Sequence, residues 1–134
     1  MARLNLNARG DSFLDLLLVQ TKSGAGVEVC LRLPASPGRS VVVLYDKIWW
    51  GTDLNAASSF INGIISSQSL KWACTLPDKS GFVSLRWPYG ANKAFFSAAW
   101  RDSFGTIDYR ANVPADNARR FRDSVGVLKL ALKR

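Results

Sequence analysis

At 134 residues, with 48% apolar and 21% charged side chains, the chain has the make-up of a folded domain and can bury roughly two thirds of its unfolded surface. Its net charge of +8 is uneven: residues 1–68 carry six basic and five acidic groups, residues 69–134 twelve and five. No stretch approaches the roughly 18 apolar residues of a membrane span, no apolar run near Met1 reads as a secretion signal, and the lack of histidine removes the commonest acid–base catalyst and zinc ligand.

Residues 1–11 hold Arg3 and Arg9 with no acid before Asp11, and read as a short basic arm or edge segment. Phe13–Thr21, FLDLLLVQT, is Leu-rich with Asp15 its only charge and reads as a strand. Residues 22–26 supply a glycine turn. A second strand over 27–33 puts Val27, Val29, Leu31 and Leu33 on one face and Glu28, Cys30 and Arg32 on the other. PASPG at 34–38 is a turn, and VVVLYDKIW gives a third strand over 40–49. Gly51 breaks the run, Thr52 or Asp53 can cap, and Leu54, Ala57, Phe60, Ile61, Ile64 and Ile65 recur at helical spacing over roughly 53–67. That helix has an uncharged polar face suited to a neighbouring subunit.

Leu70–Leu76 opens the second half as a strand with Leu70, Trp72, Cys74 and Leu76 inward. Two strands over 82–88 and 94–101 follow, each with one apolar face and one mixed face. Phe82, Ser84 and Arg86 share the mixed face of the first, and Phe95, Ser97, Ala99 and Arg101 that of the second. A strand over 106–113 alternates Ile107, Tyr109, Ala111 and Val113 with Asp108, Arg110 and Asn112. Pro114 to Asp116 then opens a helix whose stripe is Ala118, Phe121, Val125, Leu128 and Leu132. The fold class expected is α+β: a single domain of two sheet-plus-helix units, βββα then βββα with or without an extra strand, antiparallel and braced by the helices. The units span 12–68 and 69–134. Lys22-Ser23-Gly24 and Lys79-Ser80-Gly81 each precede a strand ending Leu-Arg-apolar-Pro, which suggests that they are repeats with Arg32 matching Arg86.

Near the end of the second unit, Tyr109-Arg110-Ala111-Asn112-Val113-Pro114-Ala115 runs into Phe121-Arg122-Asp123-Ser124-Val125. This resembles the strand, Pro-containing link and Phe-Arg-Asp helix of PUR repeats, and the doubled unit is similar to the fold shared by PUR-repeat and Whirly proteins. The resemblance implies curved antiparallel sheets that bind single-stranded nucleic acid. The first helix has no Phe-Arg-Asp, and no Lys-Gly-Lys motif of the Whirly kind is present.

The residues point the same way on their own. With no histidine and scattered carboxylates there is no constellation for catalysis, so no enzyme and no cofactor or metal is expected. Cys30 and Cys74 read as buried free thiols in an intracellular protein, with one disulfide as the other option. Cations beside rings on a sheet suit a single strand, because charge follows the phosphates and rings stack on bases. The candidate contacts are Arg32, Lys71, Lys79, Phe82, Arg86, Tyr89, Lys93, Arg101, Arg110 and Trp50, for DNA or RNA with little sequence preference, in a homo-oligomer. Two other readings stay open: a viral or phage coat protein that binds RNA, and a carbohydrate- or membrane-binding β-sandwich.

Overall fold

Alternating apolar residues dictate the strands of this chain, and helical repeats dictate its helices. The computed structural model describes residues 1–7, 9–33, 42–65, 70–76, 80–88, 90–102 and 105–132. Its first sheet is a meander of β1 (Ala2–Asn5), β2 (Phe13–Thr21), β3 (Gly24–Leu33) and β4 (Val42–Gly51), followed by α1 (Leu54–Ile65). The second is β5 (Leu70–Leu76), β6 (Gly81–Trp87), β7 (Lys93–Asp102) and β8 (Gly105–Pro114), followed by α2 (Ala115–Leu132). Every pairing is antiparallel.

The α+β class is thus met by ββββα given twice. The added strand of the first unit is β1, so residues 2–5 form an edge strand and not a free arm. Ala2 and Leu4 are fully buried, and Arg3 turns to the other face. There its Nε and Nη2 donate to the two Asp15 carboxylate oxygens at 2.8 and 2.9 Å, while the guanidinium lies 3.9 Å from the Phe13 ring centre. This bidentate pair matches the planar fork of arginine.

On β2 and β3 the buried set is Leu14, Leu16, Ala25, Val27, Val29, Leu31 and Leu33. β3 begins three residues before the expected 27, because Gly24 and Ala25 pair with Thr21 and Gln20. Only glycine suits position 24: its φ is +143°, and a Cβ there would lie 2.1 Å from the Gly51 carbonyl oxygen. The inner face of the second sheet is Val83, Leu85, Ala94, Phe96, Ala98, Trp100 and Val113, all buried.

Asp53 caps α1, accepting from the Ala56 N–H at 3.1 Å on its side chain and from the Ala57 N–H at 3.3 Å on its carbonyl. Ala57 and Ile61 are buried beneath it. In α2 the buried stripe is Ala118, Phe121, Val125 and Leu128, with Asp116 in the first turn and Lys129 in the last, each favoured by the helix dipole. The helices pack on each other, and α2 also lies against β1 of the first sheet. There Asn117 Nδ2 donates to the Asn5 carbonyl at 3.2 Å. One core therefore joins both halves. α1 lies against β3, β4 and β5, and α2 against β1, β2, β7 and β8, so both helices contact both sheets.

The repeated Leu-Arg-apolar-Pro marks do not fall on equivalent strands. Leu31 and Arg32 lie on the third strand of their sheet, Leu85 and Arg86 on the second of theirs. Arg32 is therefore not the topological counterpart of Arg86. Phe60 and Phe121 do belong to the helix that closes each unit, and the first unit begins at Ala2, ahead of residue 12.

Candidate nucleic-acid interface

Antiparallel register sets the outer face of the second sheet in rows. Lys71, Arg86, Phe95 and Asn112 share one row; Ala73, Ser84, Ser97 and Arg110 the next; Thr75, Phe82, Ala99 and Asp108 the third; and Arg101 meets Thr106 beyond it. Phe82, Ser84, Arg86, Phe95, Ser97, Ala99, Arg101, Asp108, Arg110 and Asn112 face outward because alternation sends their neighbours Val83, Leu85, Phe96, Ala98 and Trp100 into the core.

The middle of the face is low and the ends are tall. Ser84 and Ser97 meet at 3.4 Å between hydroxyl oxygens, and Ala99 extends this small-residue floor. At one end Ser84, Arg86, Phe95, Ser97, Arg110 and Asn112 line an open hollow of about 640 Å3. At the other, Phe82, Ala99, Arg101 and Thr106 belong to a hollow of about 420 Å3. Phe95 to Arg101 spans roughly 20 Å of extended chain.

Phe82 and Phe95 are 44% and 45% exposed, an uncommon amount for large rings in the middle of a sheet. Arg86 stands over Phe95, its guanidinium carbon 5.5 Å from the ring centre. Arg110 has a loose ion pair with Asp108 at 3.8 Å, both ends largely in solvent, where such pairs contribute little. Among the described residues Asp108 is the one acid on this face.

Of the expected contacts, Phe82, Arg86, Lys93, Arg101 and Arg110 share this face and are exposed. Lys71 pairs with Arg86 in the ladder. Lys79 and Tyr89 lie outside the described residues. Arg32 is exposed, but on the outer face of the first sheet, so it does not join the group. Trp50 is a correction. It is half-buried on the inner side of β4, its ring 5.2 Å from that of Phe60 on α1, while Trp49 takes the open side at 45% exposure. Phe95 was missed as a candidate, although alternation from Arg101 already placed it on the mixed face.

The outer face of the first sheet differs in chemistry. It exposes Leu17, Tyr45 and Trp49, and it carries acids, Asp15 and Glu28, among its cations. A hydrogen bond with Glu28 holds the Tyr45 phenol above its usual range. Cys30 is a free, half-buried thiol here, so the sequence reading of a buried thiol is corrected; burial and then Asp15 push its pKa up, against Arg3. Arg119 and Arg122 of α2 each sit 5.5 Å from the ring centre of Trp87 at the end of β6, which ties these cations to bracing the helix against that sheet.

No group of three or more potential metal ligands occurs among the described residues, and no described helix is long and apolar enough to cross a membrane. The chain matches no family model, no curated protein and no solved structure.

Proposed function

We propose that the protein is not an enzyme and binds single-stranded DNA or RNA, with little sequence preference, on the outer face of β5–β8, acting inside the cell as a homo-oligomer. The observation that carries this reading is the shared face: Arg86, Lys93, Arg101 and Arg110 stand with two exposed phenylalanine rings around a floor of Ser84, Ser97 and Ala99. Cations follow a phosphate backbone, and an exposed ring stacks on any base, which gives affinity without a strict sequence. Duplex DNA hides its base faces inside the helix, so the rings favour an unpaired strand.

Anisotropy of a labelled, unstructured oligonucleotide titrated at two salt concentrations tests the reading. Three or four phosphate contacts on a single strand give a slope of log K against log salt of roughly −2 to −3. No binding at low salt overturns it. A second reading, a coat subunit that binds RNA, draws on the exposed Leu17, Tyr45 and Trp49 of the first sheet, which a shell would cover. Light scattering separates the two, since a closed shell has a far larger mass than a small oligomer.

A further inference from the structure

Among the described residues β8 is an edge strand of ten residues, paired with β7 on one side only. The phase of its ladder follows from two observations. Ala115 N–H donates to the Asn92 carbonyl at 3.2 Å, continuing the β7–β8 pairing, so Val113, Ala111, Tyr109 and Ile107 are the residues whose backbone groups point to β7. The even-numbered residues, Thr106, Asp108, Arg110 and Asn112, then direct N–H and C=O outward, away from the sheet. Pro114 agrees, because its missing N–H falls on that open side.

From this geometry we infer that the open edge of β8 is the site at which a second copy of the chain pairs, antiparallel and about a twofold axis at Tyr109. Backbone phase allows outward residues to meet only outward residues. Centring the pair on Asp108 or on Arg110 sets like charges face to face. Centring it on Tyr109 sets Asp108 against the partner's Arg110 and Arg110 against the partner's Asp108, with Thr106 opposite Asn112 and Ile107 opposite Ala111. It also overlaps nine of the ten residues. Opposite charges directly across a ladder stabilise it and like charges oppose it.

The strand lacks the usual guards against such pairing: no lysine, no bulge, and no proline before its last residue. Ile107 and Tyr109 on its inner side are only partly buried, unlike Ala98 and Phe96 of the neighbouring strand, which leaves apolar surface for a partner to cover.

This names the oligomer interface of the nucleic-acid reading and rests on that reading only for its consequence. Pairing makes one eight-stranded sheet whose two basic faces run together, and it assigns Arg110 to the interface, leaving Arg86, Lys93 and Arg101 for phosphates.

The test is the mass of the full chain by light scattering, without nucleic acid, with circular dichroism to check the fold. Wild type is expected at twice the chain mass of 14.8 kDa or an even multiple of it. Asp108→Arg alone and Arg110→Asp alone should each halve that mass, and mixing these two variants, or combining both changes in one chain, should restore it. A monomeric wild type, single variants with undiminished mass, or a mixture that fails to reassociate overturns the inference. A monomer that still binds an oligonucleotide sinks this interface and the homo-oligomer and leaves the nucleic-acid binding standing, while a twofold assembly that binds none does the reverse.

Discussion

The Arg86 guanidinium carbon lies 5.5 Å from the centre of the Phe95 ring, one on β6 and one directly opposite on β7. The two side chains act on different parts of a bound strand, so their removal should read differently. Phe95→Ala should weaken binding by about 1–3 kcal/mol, the range for loss of one stacked base, with the salt dependence unchanged. Arg86→Ala should flatten the slope of log K against log salt by about 0.7, the share of one phosphate on a single strand. Titrations of both variants at three or more salt concentrations check this, and identical slopes for wild type and Arg86→Ala would count against the phosphate role.

Two glycines should respond to alanine with opposite sign. At Gly126 in α2 an added methyl meets nothing within 4 Å, so Gly126→Ala should stabilise by about 0.5–1 kcal/mol through helix propensity alone. At Gly24 the methyl would collide with the Gly51 carbonyl and the backbone sits at φ +143°. Gly24→Ala should therefore cost about 2–5 kcal/mol through strain and forced movement. Urea unfolding of the two variants gives both numbers.

β1 should be held by packing more than by its ladder, since it is only four residues long. Leu4→Ala, at a fully buried site, should cost about 2–5 kcal/mol. Asn117→Ala, which removes the hydrogen bond to the Asn5 carbonyl, should cost about 1 kcal/mol. Hydrogen exchange resolved by residue should show faster exchange in β1 for Asn117→Ala, with β6 and β7 unchanged.

Cys30 should be a sluggish thiol. Burial, then Asp15, raises its folded-state pKa, so the protonated form is favoured. Its stabilising contribution is full below the unfolded-state pKa and is lost as pH rises through the higher folded value. In a Cys74→Ser background, the pH midpoint of iodoacetamide alkylation should lie above that of an unstructured cysteine peptide. Asp15→Asn should lower it, because the change removes a negative charge and releases Arg3 from its partner. A midpoint unmoved by Asp15→Asn would refute the assignment of cause.

Alternation made most of the fold legible. Phe82, Arg86, Phe95, Arg101 and Arg110 fall on one face simply because their neighbours are apolar, and β5 to β8 were readable to within a residue at each end. β4 resisted the same treatment. Its buried face includes Asp46, while its open face carries Tyr45 and Trp49, so hydrophobicity runs against burial and cannot tell Trp49 from Trp50. The Gly24–Ala25–Gly26 segment resisted for another reason. Glycine there marks a close approach of β3 to Gly51 at the end of β4, a distant contact that looks identical to a turn in sequence. The short β1 has too few residues to show a period at all. Its place depends on α2, far along the chain.

That dependence has a consequence for synthesis. Asn5 meets its α2 partner 112 positions later, so during translation the first sheet must wait on the ribosome with one margin uncovered until α2 has emerged. The halves should not mature one after the other. A chain severed between Ile65 and Leu70 should yield two pieces that are aggregation-prone apart and regain the native fold on mixing.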